Sequence, residues 1–207
     1  MFEYIHNSQE DYLQGSKGIR SQETLHLITS NSLYPPFPND TDSLVLGMGC
    51  FWGAEKLFYK LNGIYVTAVG YSGGVTTNPS YEQVCTGKTG HAEVVLIVFY
   101  PQIITLNELL KIFWENHDPT QLNKQGNDVG TQYRSLLTYK NMDEKLLMEK
   151  SYTTYNSAIT KIKKSEIKTE IVERSDFYYA EQYHQQYLIK NPYGYCNHGF
   201  NGVTCVF

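Results

Sequence analysis

Cys50 stands in Gly47-Met48-Gly49-Cys50-Phe51-Trp52-Gly53, where a short apolar run gives way to residues recurring at helical spacing. A cysteine at the start of a helix faces unpaired backbone N–H groups and the positive end of the helix dipole, a setting that favours a thiolate nucleophile. The competing reading is a packed structural cysteine, because cysteine is among the most buried residue types. Phe51 and Trp52 follow the thiol directly. Two adjacent aromatics on a helix cannot share one core stripe, so at least one is expected beside the sulfur as an apolar wall.

Glu93 is the second chemical candidate, since Thr89-Gly90-His91-Ala92-Glu93 runs straight into the apolar stretch Val94 to Tyr100. A carboxyl group at the mouth of a buried strand loses hydration, its pKa rises, and it becomes a proton donor near neutral pH. A solvated strand-end glutamate is the alternative. Tyr81 and Tyr133 lie in polar loops, and their phenols are suited to orienting a polar substrate oxygen, although most of the 18 tyrosines must serve packing. Cys196 and Cys205 sit in a glycine-containing tail with neither strand nor helix period, a pliable dithiol suited to redox cycling. Zinc is disfavoured because the eight residues between them exceed the usual ligand spacing and no second pair exists. Cys85 reads as a packing residue. A cysteine hydrolase with His91 or His184 as base, and a stoichiometric redox sensor, are the other classes these residues allow.

Several elements must position these groups. Leu44 to Met48 reads as a strand, followed by a helix from Phe51 to Leu61, and Ile64 to Tyr71 and Glu93 to Tyr100 as further strands, the last apolar on both faces and therefore central. A helix over Thr105 to His117, a polar loop over Asp118 to Gly130, a strand over Ser135 to Tyr139, a helix over Asp143 to Lys161, a strand over Ile167 to Glu173 and a helix over Tyr178 to Ile189 complete the pattern. Strands alternating with helices predict an α+β, two-layer sandwich. The Lys161, Lys163, Lys164 and Lys168 run reads as solvated surface.

The chain has 207 residues, 41% apolar and 18% charged, which fits one globular domain, and 29 aromatics exclude bulk disorder. Net charge of −4 argues against nucleic acid or anionic lipid as a partner. The longest apolar run has seven residues, far short of the roughly 20 a membrane-spanning helix needs. Residues 1–43 hold six acidic and two basic residues and no apolar leader pattern, which predicts a cytoplasmic address, with the nucleus also open. They are expected to form an N-terminal extension, either loosely ordered or packed on the domain, ahead of a catalytic domain over 44–207 whose redox-active tail begins near 191.

The ordered segments Gly49-Cys50-Phe51-Trp52-Gly53, Gly70-Tyr71-Ser72-Gly73-Gly74, Thr89-Gly90-His91-Ala92-Glu93, His117-Asp118-Pro119-Thr120, Gly130-Thr131-Gln132-Tyr133-Arg134-Ser135 and Tyr183-His184-Gln185-Gln186-Tyr187-Leu188 resemble the A-type peptide methionine sulfoxide reductases. The resemblance implies reduction of methionine S-sulfoxide, free or in oxidised proteins. By resemblance, Cys50 is the nucleophile and Glu93 the proton donor, Tyr81 and Tyr133 bond the sulfoxide oxygen, Asp128 supports the polar network, and Phe51 with Trp52 hold the S-methyl group. Cys196 would resolve the oxidised Cys50 and Cys205 pass the disulfide to thioredoxin, or to dithiothreitol in vitro, with no bound cofactor or metal. A ferredoxin-like mixed sheet and a monomer are expected. Lys124, Gln182 and Phe99-Tyr100 depart from the family pattern.

Overall fold

The computed structural model describes residues 5–6 and 24–206. In chain order its elements are β1 (Ile5–His6), β2 (Asp42–Met48), α1 (Phe51–Phe58), β3 (Ile64–Ser72), α2 (Tyr81–Cys85), β4 (Ala92–Phe99) and α3 (Leu106–Glu115). There follow β5 (Lys124–Gln125), β6 (Asp128–Val129), a 3-10 turn (Thr131–Tyr133), β7 (Ser135–Tyr139), α4 (Met142–Lys163), β8 (Glu170–Glu173), β9 (Phe177–Tyr179) and α5 (Tyr187–Lys190).

Seven strands form one mixed sheet in the order β1-β9-β3-β4-β2-β7-β8, and β5 and β6 form a separate hairpin. β4 is buried along its whole length and lies antiparallel between β2 and β3, which is why its sequence is apolar on both faces. The pairings β7 with β8 and β1 with β9 are parallel. This is the α+β class that the alternating strands and helices predict, with the mixed sheet that the resemblance implies.

Residues alternating along the strands divide between two cores. On one face Leu44, Leu46, Val95, Ile97 and Leu137 meet α1, α3 and α4 through Phe51, Phe58, Phe113, Trp114 and Tyr155. Thr105 and Glu108 start α3 with a reciprocal capping box, and Asn141 caps α4. On the other face Val45, Val94, Leu96 and Val98 are covered by Leu33, Tyr34 and Phe37, from the segment preceding β2. Burying a Leu or Phe side chain stabilises by about 1.5–3 kcal/mol, so this segment is a working part of the second core. Residues 1–4 and 7–23 of the expected extension lie outside the described residues.

Three sequence expectations need correction. The helix expected over Tyr178 to Ile189 is instead β9, a series of turns and the short α5. Phe177 and Tyr179 pack together on the second core, and three consecutive aromatics suit a pleated surface beside the open edge of β3. Tyr81 opens a short helix rather than lying in a loop, because Ser80 and Gln83 form a capping box there. The 118–130 loop contains the β5–β6 hairpin, which brings Asp128 back toward the sheet.

Candidate active site

Cys50 is the N-cap residue of α1 and is nearly buried. The expected thiolate does not form at rest: the thiol pKa is pushed up to about 12 by burial and by the neighbouring Glu93 and Asp128, which outweigh hydrogen bonds from the Trp52 and Gly53 N–H groups. Glu93, the second residue of β4, is 2% exposed and accepts the Phe51 N–H at Oε2 over 3.0 Å. Burial raises its pKa to about 8, opposed by the Phe51 bond and helped by Asp128. At neutral pH the site therefore holds two protons, one on sulfur and one on the carboxyl group.

Tyr81 and Tyr133 border the same space. Burial raises both phenols further, and Glu93 and Cys85 act electrostatically on each. Both phenols therefore stay protonated and can donate a hydrogen bond. Cys85 is exposed and shares a hydrogen bond with Tyr81, which corrects its expected packing role: it occupies the last turn of α2, facing outward. Asp128 Oδ2 accepts from Asn197 Nδ2 at 2.9 Å and from the Tyr195 hydroxyl at 3.2 Å, so it ties the β5–β6 hairpin to the tail.

Phe51 and Trp52 diverge as helix geometry requires. Phe51 enters the core against Tyr71 and His184, while half-buried Trp52 stacks on Tyr187, with ring centroids 3.9 Å apart and an interplanar angle of 16°. Trp52 Nε1 donates to His184 Nδ1 at 3.0 Å. That bond and burial, which lowers the His184 pKa to about 4, commit this imidazole to orienting Trp52. His91 is engaged as well, accepting from the Gly74 N–H and donating to the Thr76 carbonyl. A hydrolase base thus has no support here, and Glu93 is the titratable group bonded to the first turn of α1. The sequence offers His184 as a hydrolase base rather than as the partner of Trp52, and it assigns no role to Tyr187 or to Glu181, whose carboxylate accepts both the Tyr81 N–H and the Tyr71 hydroxyl. The motif around His184 was visible, but its burial and partners depend on the turn between β9 and α5.

The tail is not free, contrary to its irregular sequence. His198 Nε2 donates to the Met48 carbonyl at 2.7 Å, and Asn201 bonds the carbonyls of Trp114 and His117. Cys196 lies over the first turn of α1: a Cβ built on Gly53 would meet its Sγ at 3.1 Å and His198 Nδ1 at 2.2 Å. Only glycine permits this approach. Cys205 is buried beside α3, its N–H donating to Glu115 Oε1 at 2.7 Å and its carbonyl accepting from Lys111 Nζ at 2.8 Å. All four cysteines are free thiols.

Residues 42–204 match the sequence model of peptide methionine sulfoxide reductase. The chain belongs to this family. The peptide methionine sulfoxide reductase MsrA of Brucella melitensis is 50% identical over 198 residues, covering 96% of this chain and 91% of that protein. Methionine sulfoxide reductase A of Corynebacterium diphtheriae superposes with a TM-score of 0.77 at 39% identity, covering 87% of each chain. Reduced Mxr1 of Saccharomyces cerevisiae gives 0.72 at 37% identity, covering 79% of this chain and 94% of its own. Mxr1 has also been solved in complex with Trx2, with a TM-score of 0.53 at 24% identity over 81% and 95% of the two chains. The reductase is thus an oxidoreductase acting on methionine sulfoxide.

Proposed function

We propose that Cys50 and Glu93 perform the reduction as a proton-coupled pair, on the S epimer of methionine sulfoxide in oxidised proteins or as the free amino acid. A sulfoxide sulfur is poorly electrophilic until its oxygen is protonated. Glu93 supplies that proton, with Tyr81 and Tyr133 donating hydrogen bonds to the same oxygen and Asp128 steadying the surrounding network. Once the sulfoxide oxygen takes the Glu93 proton, the vacated carboxylate accepts the Cys50 thiol proton as the sulfur attacks. The attack forms an S–S bond; the oxygen then passes to the Cys50 sulfur as that S–S bond and the S–O bond to the substrate sulfur break, so methionine leaves as the reduced thioether and Cys50 is oxidised to a sulfenic acid. Phe51 and Trp52 wall the space for the S-methyl group. The observation that carries this reading is the buried Glu93, its pKa raised by that burial, bonded to the first turn of the helix that Cys50 caps.

Recycling follows thiol chemistry. The Cys196 thiol condenses with the sulfenic acid, releasing water and forming a Cys50–Cys196 disulfide. Cys205 thiolate then attacks the Cys196 sulfur, giving Cys196–Cys205 and returning Cys50 as a thiol. Thioredoxin is the proposed external dithiol that reduces this last disulfide, a reading supported by Mxr1, the yeast relative solved with Trx2. Its burial means that Cys205 must leave its seat beside α3 first. The test is turnover of separated S and R epimers with dithiothreitol. Many turnovers of the S epimer and none with Cys50→Ser are expected. Equal use of both epimers, or activity in Cys50→Ser, refutes the assignment.

A further inference from the structure

The wall at Trp52 is held from behind. His184 and Tyr187, which orient Trp52, belong to one turn, and buried hydrogen bonds fix that turn to α1. Glu55, three residues after Trp52 on α1 and 1% exposed, accepts the Gln186 N–H at Oε2 and the Thr67 hydroxyl at Oε1, each at 2.9 Å. Thr67 has given its only hydroxyl proton to Glu55, so its oxygen accepts from His26 Nε2 at 3.1 Å. His26 Nδ1 accepts the Thr29 N–H at 3.2 Å. The Leu27 N–H closes the circuit by donating to the Gln186 side-chain oxygen. Each proton in this chain is directed along it toward the Glu55 carboxylate or the Gln186 amide. Removing one acceptor therefore strands a buried donor.

Gln186 itself stands at φ +52, in the left-handed region that a residue with a side chain adopts only when its surroundings impose it. Glu55 and Leu27 are what hold it there, one at its backbone and one at its side chain. His26 and Leu27 precede residue 42, where the family match begins. We propose that His26, Thr67, Glu55 and Gln186 form a positioning network through which the segment around residues 26–29 sets the placement of Trp52 and hence the fit of the substrate's methyl group. This rests on the reading of Trp52 as the wall of that space. Glu93 is held separately, through the Phe51 N–H, so the network acts on substrate fit and leaves the proton-coupled step in place.

Thr67→Val breaks the chain at its middle without changing side-chain volume, Thr67→Ser restores the hydroxyl, and Gln186→Met removes the acceptor for Leu27. KM for a methionine sulfoxide peptide should rise about tenfold in Thr67→Val and Gln186→Met, with single-turnover rates at saturating substrate within about threefold of wild type. Thr67→Ser should return KM to within about threefold. Tryptophan emission should change in Thr67→Val and not when the same substitution is made in a Trp52→Phe background, which assigns the signal to Trp52 rather than Trp114. Trp52→Ala serves as the reference for the wall. If Trp52→Ala raises KM and the two network variants do not, the network proposal is wrong while the wall stands. If Trp52→Ala leaves KM unchanged, the wall reading fails and takes the proposal with it. A reduced burst amplitude with unchanged KM in the network variants means that these bonds only maintain the fold, and also overturns the proposal.

Discussion

The two protons held at rest by Cys50 and Glu93 make a pH-dependent prediction. Glu93 has a pKa raised to about 8, so it is a proton donor below that value and an acceptor above it. The single-turnover rate should fall as pH rises through about 8, whereas a reaction needing only a preformed Cys50 thiolate would accelerate over the same range. Glu93→Gln keeps shape and hydrogen bonding but cannot transfer a proton, and should slow single turnover by about 100-fold or more. A variant within a few-fold of wild type would assign protonation to a tyrosine or to water. The place of this carboxyl group at the head of an apolar run allowed both a desolvated acid and a solvated strand-end glutamate, and the fold decides for the first by burying it between β2 and β3. The state of Cys50 was not: a helix start favours the thiolate, and only the folded chain shows burial, Glu93 and Asp128 acting together against it.

At the level of elements, Gly53 carries the strongest constraint. Gly53→Ala places a methyl group against Cys196 and His198, so the tail segment can no longer seat on the first turn of α1. One equivalent of methionine should still be released per enzyme, while steady-state turnover with thioredoxin drops about tenfold or more and Cys196 alkylates faster. Normal turnover would show that Cys196 resolves from a different position. The strand-helix junction at Cys50 and the central β4 were readable because their periodicity is strong and local. β9 was not, since a run of aromatics followed by polar residues satisfies either period and the decision falls to the free edge of β3. The anchoring of the tail was also invisible. Its sequence has no period, and its order comes from single side chains such as Asn201 and His198 reaching carbonyls of distant elements.

Across the molecule, burial of titratable groups sets the pH range of the fold. His26, His117 and His184 are buried with pKa values lowered to about 4, 3 and 4, so the unfolded chain takes up protons below 6.5 that the folded chain refuses. Stability present above 6.5 is therefore lost as pH falls. Glu55 and Glu93, raised to about 7 and 8, work in the opposite direction: the folded chain keeps protons that the unfolded chain releases above 4.5, and stability is lost as pH rises through these values. The histidines, His198 among them, and the two glutamates together confine maximum stability to the interval between their two ranges, with stability falling on either side. Urea midpoints measured from pH 4.5 to 8 test this, and a midpoint that climbs steadily to pH 8 would contradict it. The seat of Cys205 beside α3 has a kinetic counterpart. A thiol that must leave a packed site before it can exchange is governed by a local opening equilibrium, so regeneration becomes a measure of how often the C-terminal segment frays. Urea well below the unfolding transition should then quicken alkylation of Cys205 and speed thioredoxin-driven cycling, while leaving the first release of methionine untouched. Any substitution that tightens the packing of Cys205 would yield a more rigid but slower enzyme.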